Sequence, residues 1–495
     1  MELFALGLSN VLHWDVLMIL FLGVAVGIAI GALPGLTATM GVALLLPVTF
    51  GMQPVTGILL LVGVYFGGIY GGSITAILIN TPGTPSGAAT VLDGYPLAQK
   101  GFAHKALTVA TLSSGIGGIL SVLLLIFVAP QVAKFALKFS APESFGLAIF
   151  GLSVIASISG KSLVKGLMTG FLGLLVASIG LDPVGGFPRF TFGSQELMGG
   201  INFIPVMIGL FAASEAFKQM ELIFTKNDNI IKIDKVRLTW SEFKSLIPTI
   251  LRSTSIGAFI GAIPGAGGDI AAFVAYNEAK RWSKNPEEFG KGKIQGIAAP
   301  EAANNGSTGG AMIPLLTLGI PGDAVTAVML GALMVQGLQP GPMLFTQNAN
   351  IVYTLFVGMI FANFIILFYG SIGIGLFTKV LKVPKSLLTP VILVLCVVGA
   401  YSMGNNMFDV WIMFIAGVIG YFMQRYEFPA SPVILALILG PMMEANFRRA
   451  LVMSGGDYSV FVTRPIAASF LVLATISLIT PIIRGLLKSR KQQAL

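Results

Sequence analysis

Apolar stretches recur along the whole chain, at 16–30, 106–129, 352–377 and 466–483 among others, with short polar connections between them. Such lengths suit helices crossing ~30 Å of hydrocarbon at about 1.5 Å of rise per residue. The pattern predicts an all-α polytopic membrane protein with about 10–12 embedded segments, counting broken ones. The interruptions are as informative as the runs. Gly31-Ala-Leu-Pro-Gly35 and the stretch from Gly71 to Asn80-Thr81-Pro82-Gly83 put Pro-Gly where an unbroken helix would otherwise continue. Gly261-Ala-Ile-Pro-Gly265 and the stretch from Gly309 to Pro321-Gly322 do so again.

The two copies keep register. Pro34 and Pro264 are 230 apart (264 − 34), and Pro82 and Pro321 are 239 apart (321 − 82), so the second copy carries an insertion between its motifs. Matching breaks in two hydrophobic halves point to the binding site of a secondary transporter. The predicted division is a first membrane repeat at 1–217, a polar cytoplasmic connection at 218–252, and a second repeat with a C-terminal span and basic tail at 253–495. Matching loops differ in charge: 280–293 holds five Lys/Arg, whereas its counterpart 47–57 holds none, and Lys100 and Lys105 face an uncharged 336–350. Opposite signatures in equivalent loops predict inverted repeats. Lys134/Lys138 and Lys379/Lys382/Lys385 occupy matching places, and inversion does not explain both.

Composition fixes the class. Of 495 residues 55% are hydrophobic and 10% charged, against about a quarter charged in soluble proteins. The net charge of +9 lies in connecting loops rather than on one face, including seven Lys/Arg between Lys218 and Arg252 (among them Lys226, Lys232 and Lys235), which favours membrane topology over nucleic-acid binding. The first thirteen residues have no basic group and no cleavage signature, so the first span is expected to stay in the mature chain. The lone Cys396 excludes an intrachain disulfide.

Polar residues gather at the breaks. Ser73, Thr75, Thr81, Gly83 and Thr84 in the first half, with Asn304, Asn305, Ser307 and Thr308 in the second, are the candidate substrate site. Asn80, Asn305 and Asp323 are candidate cation ligands, and Asp269, Glu301 and Asp323 candidate proton carriers. Broken helices free N–H groups that suit a carboxylate and carbonyls that suit Na⁺. The bland alternatives are concrete: Ser and Thr often bond their own helix, Asp269 and Asp323 stand where N-caps stand, and Glu301 after Pro300 reads equally as an N-terminal-turn acid. The carboxamides of Asn304 and Asn305 have the largest unmet hydrogen-bond demand. No His-Glu-x-x-His, Gly-x-Ser-x-Gly or Walker motif is present.

Tyr70-Gly-Gly-Ser-Ile-Thr-Ala-Ile-Leu-Ile-Asn-Thr-Pro-Gly-Thr-Pro85 and Pro300-Glu-Ala-Ala-Asn-Asn-Gly-Ser-Thr-Gly-Gly-Ala-Met-Ile-Pro-Leu-Leu-Thr-Leu-Gly-Ile-Pro-Gly322, with Gly31–Gly35 and 261–268, resemble the large membrane subunit of the tripartite tricarboxylate transporter family over nearly the whole length. The resemblance implies a multi-pass permease of the bacterial inner membrane, working with a small membrane subunit and a periplasmic solute-binding protein. It also implies ion-driven uptake of di- or tricarboxylates such as citrate, with Na⁺ or H⁺ as coupling ion. A re-entrant-loop channel is the second reading, because it too needs Gly-rich breaks. An intramembrane enzyme is the third.

Overall fold

The computed structural model describes residues 2–33, 35–153, 155, 162–182, 185–221, 236–373 and 385–493. Pro34 and the basic residues Lys226, Lys232, Lys235, Lys379 and Lys382 lie outside the described residues. Among the described residues the only strands are Gly180–Leu181 and its antiparallel partner Pro188–Arg189, and helices make up most of the rest. The chain forms two compact units, each drawn from both repeats: Met1–Lys134 with Glu215–Gly399, and Phe135–Ser214 with Ala400–Leu495.

The first unit contains α1 (Glu2–Leu12), α2 (Trp14–Gly31), α3 (Ala38–Leu45), α4 (Pro54–Leu78), α5 (Gly87–Leu97), α6 (Ala103–Ala136), α7 (Trp240–Ala262), α8 (Gly267–Arg281), α9 (Ile294–Leu318), α10 (Ala324–Val335) and α11 (Ala349–Ile372). α2 and α4 run parallel, with Gly23, Gly27 and Gly31 meeting the backbone of Leu60, Val64 and Gly68 in turn. Small residues at every fourth position let helices touch where hydrocarbon on all sides removes the usual hydrophobic drive. A β-carbon on Gly31 would run into the carbonyl oxygen of Gly68. The chain then turns through Gly35 (φ +92°), and Thr37 starts α3 by accepting the Met40 N–H at 3.2 Å. α3 runs back along α4, Ala38 at Gly68 and Gly41 at Val64. α2 and α3 are therefore a re-entrant hairpin whose tip is level with Gly68.

α7, α8 and α9 repeat the arrangement. Gly257 meets Ala303, Gly261 meets Ser307, and the returning arm brings Gly268 to Asn304. Ala271, Ala275 and Ala279 of that arm pack in one core with Ala299 and Ala303. This is the same-side entry and return that flanking Arg252 and Lys280 demand.

The second pair of breaks is built alike. α4 stops at Leu78, and Asn80 takes a left-handed φ of +57°; α9 stops at Leu318, and Gly319 takes +70°. The two positions are equivalent (319 − 80 = 239). The chain then doubles back, so that Gly83 is wedged between Gly31 O and Gly72, and Gly322 between Gly261 O and Ala311. Gly265 N–H donates to Gly322 O at 2.8 Å, tying hairpin tip to helix break.

Chain direction follows from contacts inside this unit. α5 resumes in the sense of α4, Gly87 beside Gly72 and Gly94 beside Ile77. Its far end reaches the start of α9: Asp93 accepts the N–H groups of Gly290, Gly292 and Lys293 and the Tyr276 hydroxyl, at 2.7–3.0 Å. At the other end Gln336, just past α10, donates to Thr49 O at 2.8 Å, just before α4. Hence α4/α5 and α9/α10 run in opposite senses, and loops 47–57 and 280–293 sit at opposite ends of the unit. The basic end gathers Lys100, bonded to Lys291 O at 2.6 Å, and Lys105, paired with Glu242 at 2.8 Å.

The second unit is held together by fixed ion pairs. Arg189, from the strand pair, bonds both oxygens of Glu444 at 2.8 and 3.1 Å, and Arg448 bonds Asp182 at 2.9 Å and Glu444 at 2.8 Å. Arg464 pairs with Glu143 at 3.1 Å.

Candidate functional site

Most candidate hydroxyls are spent on their own helices. Ser73 donates to Tyr70 O, Thr75 to Gly72 O, Thr81 to Ile79 O, Ser307 to Asn304 O and Thr308 to Asn305 O. Thr84 and Ser86 share one bond of 3.1 Å. A hydroxyl whose proton is engaged offers only lone pairs, which favour a cation over an anion. The candidates do not all converge. Asn80 is exposed, and its left-handed backbone closes α4. Asn305 is buried, and its Nδ2 donates to Glu301 O one turn back.

Asn304 is different. It is 1% exposed, and neither Oδ1 nor Nδ2 has a hydrogen-bond partner. Leaving a buried carboxamide unpaired costs about 1–3 kcal/mol, so such a group calls for an explanation. It looks onto the tip of the second hairpin: a β-carbon on Gly268 would lie 2.5 Å from Asn304 Oδ1 and 2.8 Å from Ser307 Oγ. Only glycine leaves room there.

The acids divide by role. Asp323 caps α10 in a capping box, its Oδ1 accepting from Thr326 N and Oγ1 at 2.7 Å. Its Oδ2 accepts the Tyr65 hydroxyl at 2.8 Å. Asp269 occupies the first turn of α8 without capping it, reachable from solvent, with Asp323, Tyr65 and the Ser86 backbone N–H as electrostatic neighbours. Glu301 is not an N-terminal-turn acid. Pro300 sits inside α9 rather than at its start, so Glu301 lies two turns in, accepting from Thr90 at 2.5 Å and Ser114 at 2.8 Å. Among the described residues no Lys or Arg pairs with Asp269, Glu301 or Asp323. At the basic end, by contrast, the bonded Lys105 ammonium holds the Glu242 carboxyl below its ordinary range.

Tyr65, Thr90 and Ser114 were not among the sequence candidates. Tyr65 had a usable signal, since it is the repeat counterpart of Asn304 (304 − 65 = 239). Thr90 and Ser114 had none, because hydroxyls are common in membrane helices.

A hairpin tip packed on a helix break, twice and in opposite senses, is the arrangement that secondary transporters use around a binding site. The sequence model of the tripartite tricarboxylate transporter TctA family matches residues 17–435. The chain belongs to that family. TctA proteins are transporters, and this member is a multi-pass membrane permease subunit. An uncharacterized 52.8 kDa protein in the TAR-I ttuC' 3' region of Agrobacterium vitis is 41% identical over 456 residues, 92% of this chain and 90% of that protein. An uncharacterized protein in the TAR-II ttuC' 3' region of the same organism is 39% identical over 236 residues, 48% of this chain and 98% of that protein. No solved structure matches the chain.

Proposed function

We propose that this TctA-family permease imports a di- or tricarboxylate across the bacterial inner membrane, driven by a cation gradient. A periplasmic solute-binding protein delivers the substrate, and a small membrane subunit completes the assembly. The observation that carries the reading is the unpartnered Asn304 carboxamide at the second hairpin tip. α5 and α8 begin beside it or within one residue of its acidic neighbours, and neither has a side-chain cap. Uncapped helix starts favour anions. With the hydroxyls of Ser73, Thr75, Thr81, Ser307 and Thr308 already donating to carbonyls, the donors left for a carboxylate are Asn304 Nδ2, the Thr84–Ser86 pair and backbone N–H groups. Each neutral bond contributes only about 0.5–1.5 kcal/mol net, so a multivalent anion needs a bound cation beside it.

Labelled citrate and other di- and tricarboxylates, tested in proteoliposomes with an imposed Na⁺ or proton gradient, check the reading. Accumulation against a substrate gradient identifies a carrier, and passive equilibration a channel. Asn304→Ala and Thr84→Ala should each weaken uptake, whereas Thr346→Ala, on the exposed 344–347 turn, should not. Wild-type uptake by the Asn304→Ala/Thr84→Ala double variant at normal membrane expression would place the site elsewhere. Proton coupling is the second reading, favoured by Glu301, a 1%-exposed carboxyl bonded only by hydroxyls.

A further inference from the structure

The tip of the second hairpin has a charge imbalance as well as an orphan carboxamide. Asp269 and Asp323 are electrostatic neighbours, and Asp323 stands near Gly267, its Cβ 3.8 Å from where a β-carbon on that glycine would lie. Asp323 is already well served. Thr326 N and Oγ1 fill one oxygen and the Tyr65 hydroxyl binds the other, leaving it about one open acceptor position of the four a carboxylate has. Asp269 retains most of its acceptor capacity. Next to it, Asn304 Oδ1 and Ser307 Oγ converge on Gly268, the residue before Asp269. The Ser307 proton is engaged by Asn304 O at 2.7 Å, so Oγ turns lone pairs outward. Apart from Asn304 Nδ2, the side-chain groups named here are oxygen acceptors, two of them carboxylates, with no Lys or Arg among the named partners. Two neighbouring carboxylates are costly without a counter-charge, and an all-oxygen donor set suits a hard cation.

We propose that the second hairpin tip is a seat for a hard monovalent cation, Na⁺, held by the Asp269 carboxylate, Asn304 Oδ1 and Ser307 Oγ, with the Asp323 carboxylate nearby adding to the attraction. One carboxamide then serves both partners. Its oxygen faces the cation and its Nδ2 is left to donate to a substrate carboxylate, so filling one place orients the group for the other. The cation answers the Asp269 charge, while the three neutral donors on Asp323 solvate that carboxylate. The seat's role in transport rests on the permease reading, whereas its occupancy does not.

The test uses the purified full-length protein without substrate, with NaCl replacing choline chloride at constant ionic strength and thermal unfolding as the readout. Na⁺ should raise the unfolding midpoint in a saturable way, and K⁺ should not. Asp269→Asn and Asn304→Ala should each raise the half-saturating Na⁺ concentration by about 10- to 100-fold. Asp457→Asn, an exposed acid of the second unit, should leave it unchanged. A cooperative transition in each variant shows that it folds, and the two substitutions act independently if one does not. A midpoint indifferent to Na⁺, a response to Mg²⁺ or Ca²⁺ in place of Na⁺, or wild-type half-saturation in both site variants would overturn the proposal. Saturable Na⁺ stabilisation without any carboxylate uptake would leave the seat standing and remove the permease reading. A midpoint indifferent to Na⁺ together with proton-driven carboxylate uptake would do the reverse.

Discussion

Several acids of the two compact units are met in different ways. In the second unit Asp182, Glu444 and Glu143 are each met by an arginine, and Arg189 and Arg448 bracket Glu444 from two sides. Inside the first unit, Asp93 is met by three backbone N–H groups and a tyrosine hydroxyl, Glu301 by two hydroxyls, and Asp323 by one backbone N–H and two hydroxyls. A fixed guanidinium makes a permanent, geometrically rigid pair. Neutral donors solvate a carboxylate without cancelling its charge, so a mobile ion can still be attracted and released. The arginine pairs of the second unit fix its local geometry, whereas these three acids of the first unit, met by neutral donors, keep the charge that the proposed cation would balance.

The largest effect should come from removing a fixed cation. Arg189→Ala leaves Glu444 and Asp182 sharing Arg448, and a loss of about 1–3 kcal/mol is expected after discounting a buried pair's worth for partial exposure. Thermal unfolding of the purified protein measures it, and an unchanged midpoint would erase the distinction between the units. Next, Glu301→Gln keeps the shape where no cation is lost, with one of the two hydroxyls turning to accept from the new NH₂ group. Stability should move by no more than about 1 kcal/mol, while uptake driven by a proton gradient disappears if Glu301 carries the proton. A collapse in stability would mean that the first unit also depends on a fixed charge. Asn80→Gly is smaller again. Glycine suits φ +57° better than asparagine does, so stability should hold or rise by a few tenths of a kcal/mol, and Na⁺ half-saturation should stay at the wild-type value. A shift in half-saturation would restore Asn80 as a cation ligand.

The smallest effect concerns the exposed rim of the first unit. Because Lys105 lowers the Glu242 carboxyl, the pair stabilises the fold at pH above the unfolded carboxyl's ordinary value of 4.5. That contribution fades as pH falls through the still lower folded value. Glu242→Gln should cost about 0.2–1 kcal/mol at pH 7, and the difference from wild type should vanish under acid conditions. A difference that persists there would show that the ion pair is not its source.

The helix breaks were legible because they are local chemistry. Pro-Gly in apolar sequence interrupts a helix wherever it occurs, and the offsets of 230 and 239 showed that the interruptions come in matched pairs. The opposite running of the halves was legible too, through Lys100, Lys105 and the 280–293 loop, because charge distribution follows topology. Individual roles were less visible. Asn80 reads as a carboxamide ligand, and its φ of +57° adds a second demand, left-handed backbone, which Gly319 meets in the other repeat. Glu301 reads as a helix-start acid until Pro300 is found inside α9.

The sequence by itself determined the class, the duplication and the breaks, since each depends on residues close together in the chain or on a period. Tertiary structure alone decided which polar groups share a place. Asp323 meets Tyr65 across 258 residues, and Glu301 meets Thr90 across 211. The doubling back of α8 on α9 sets Gly268 against Asn304 and leaves that carboxamide unpaired. The Asp323–Tyr65 and Glu301–Thr90 pairings cross from one repeat to the other, and no local pattern encodes a partner two hundred residues away.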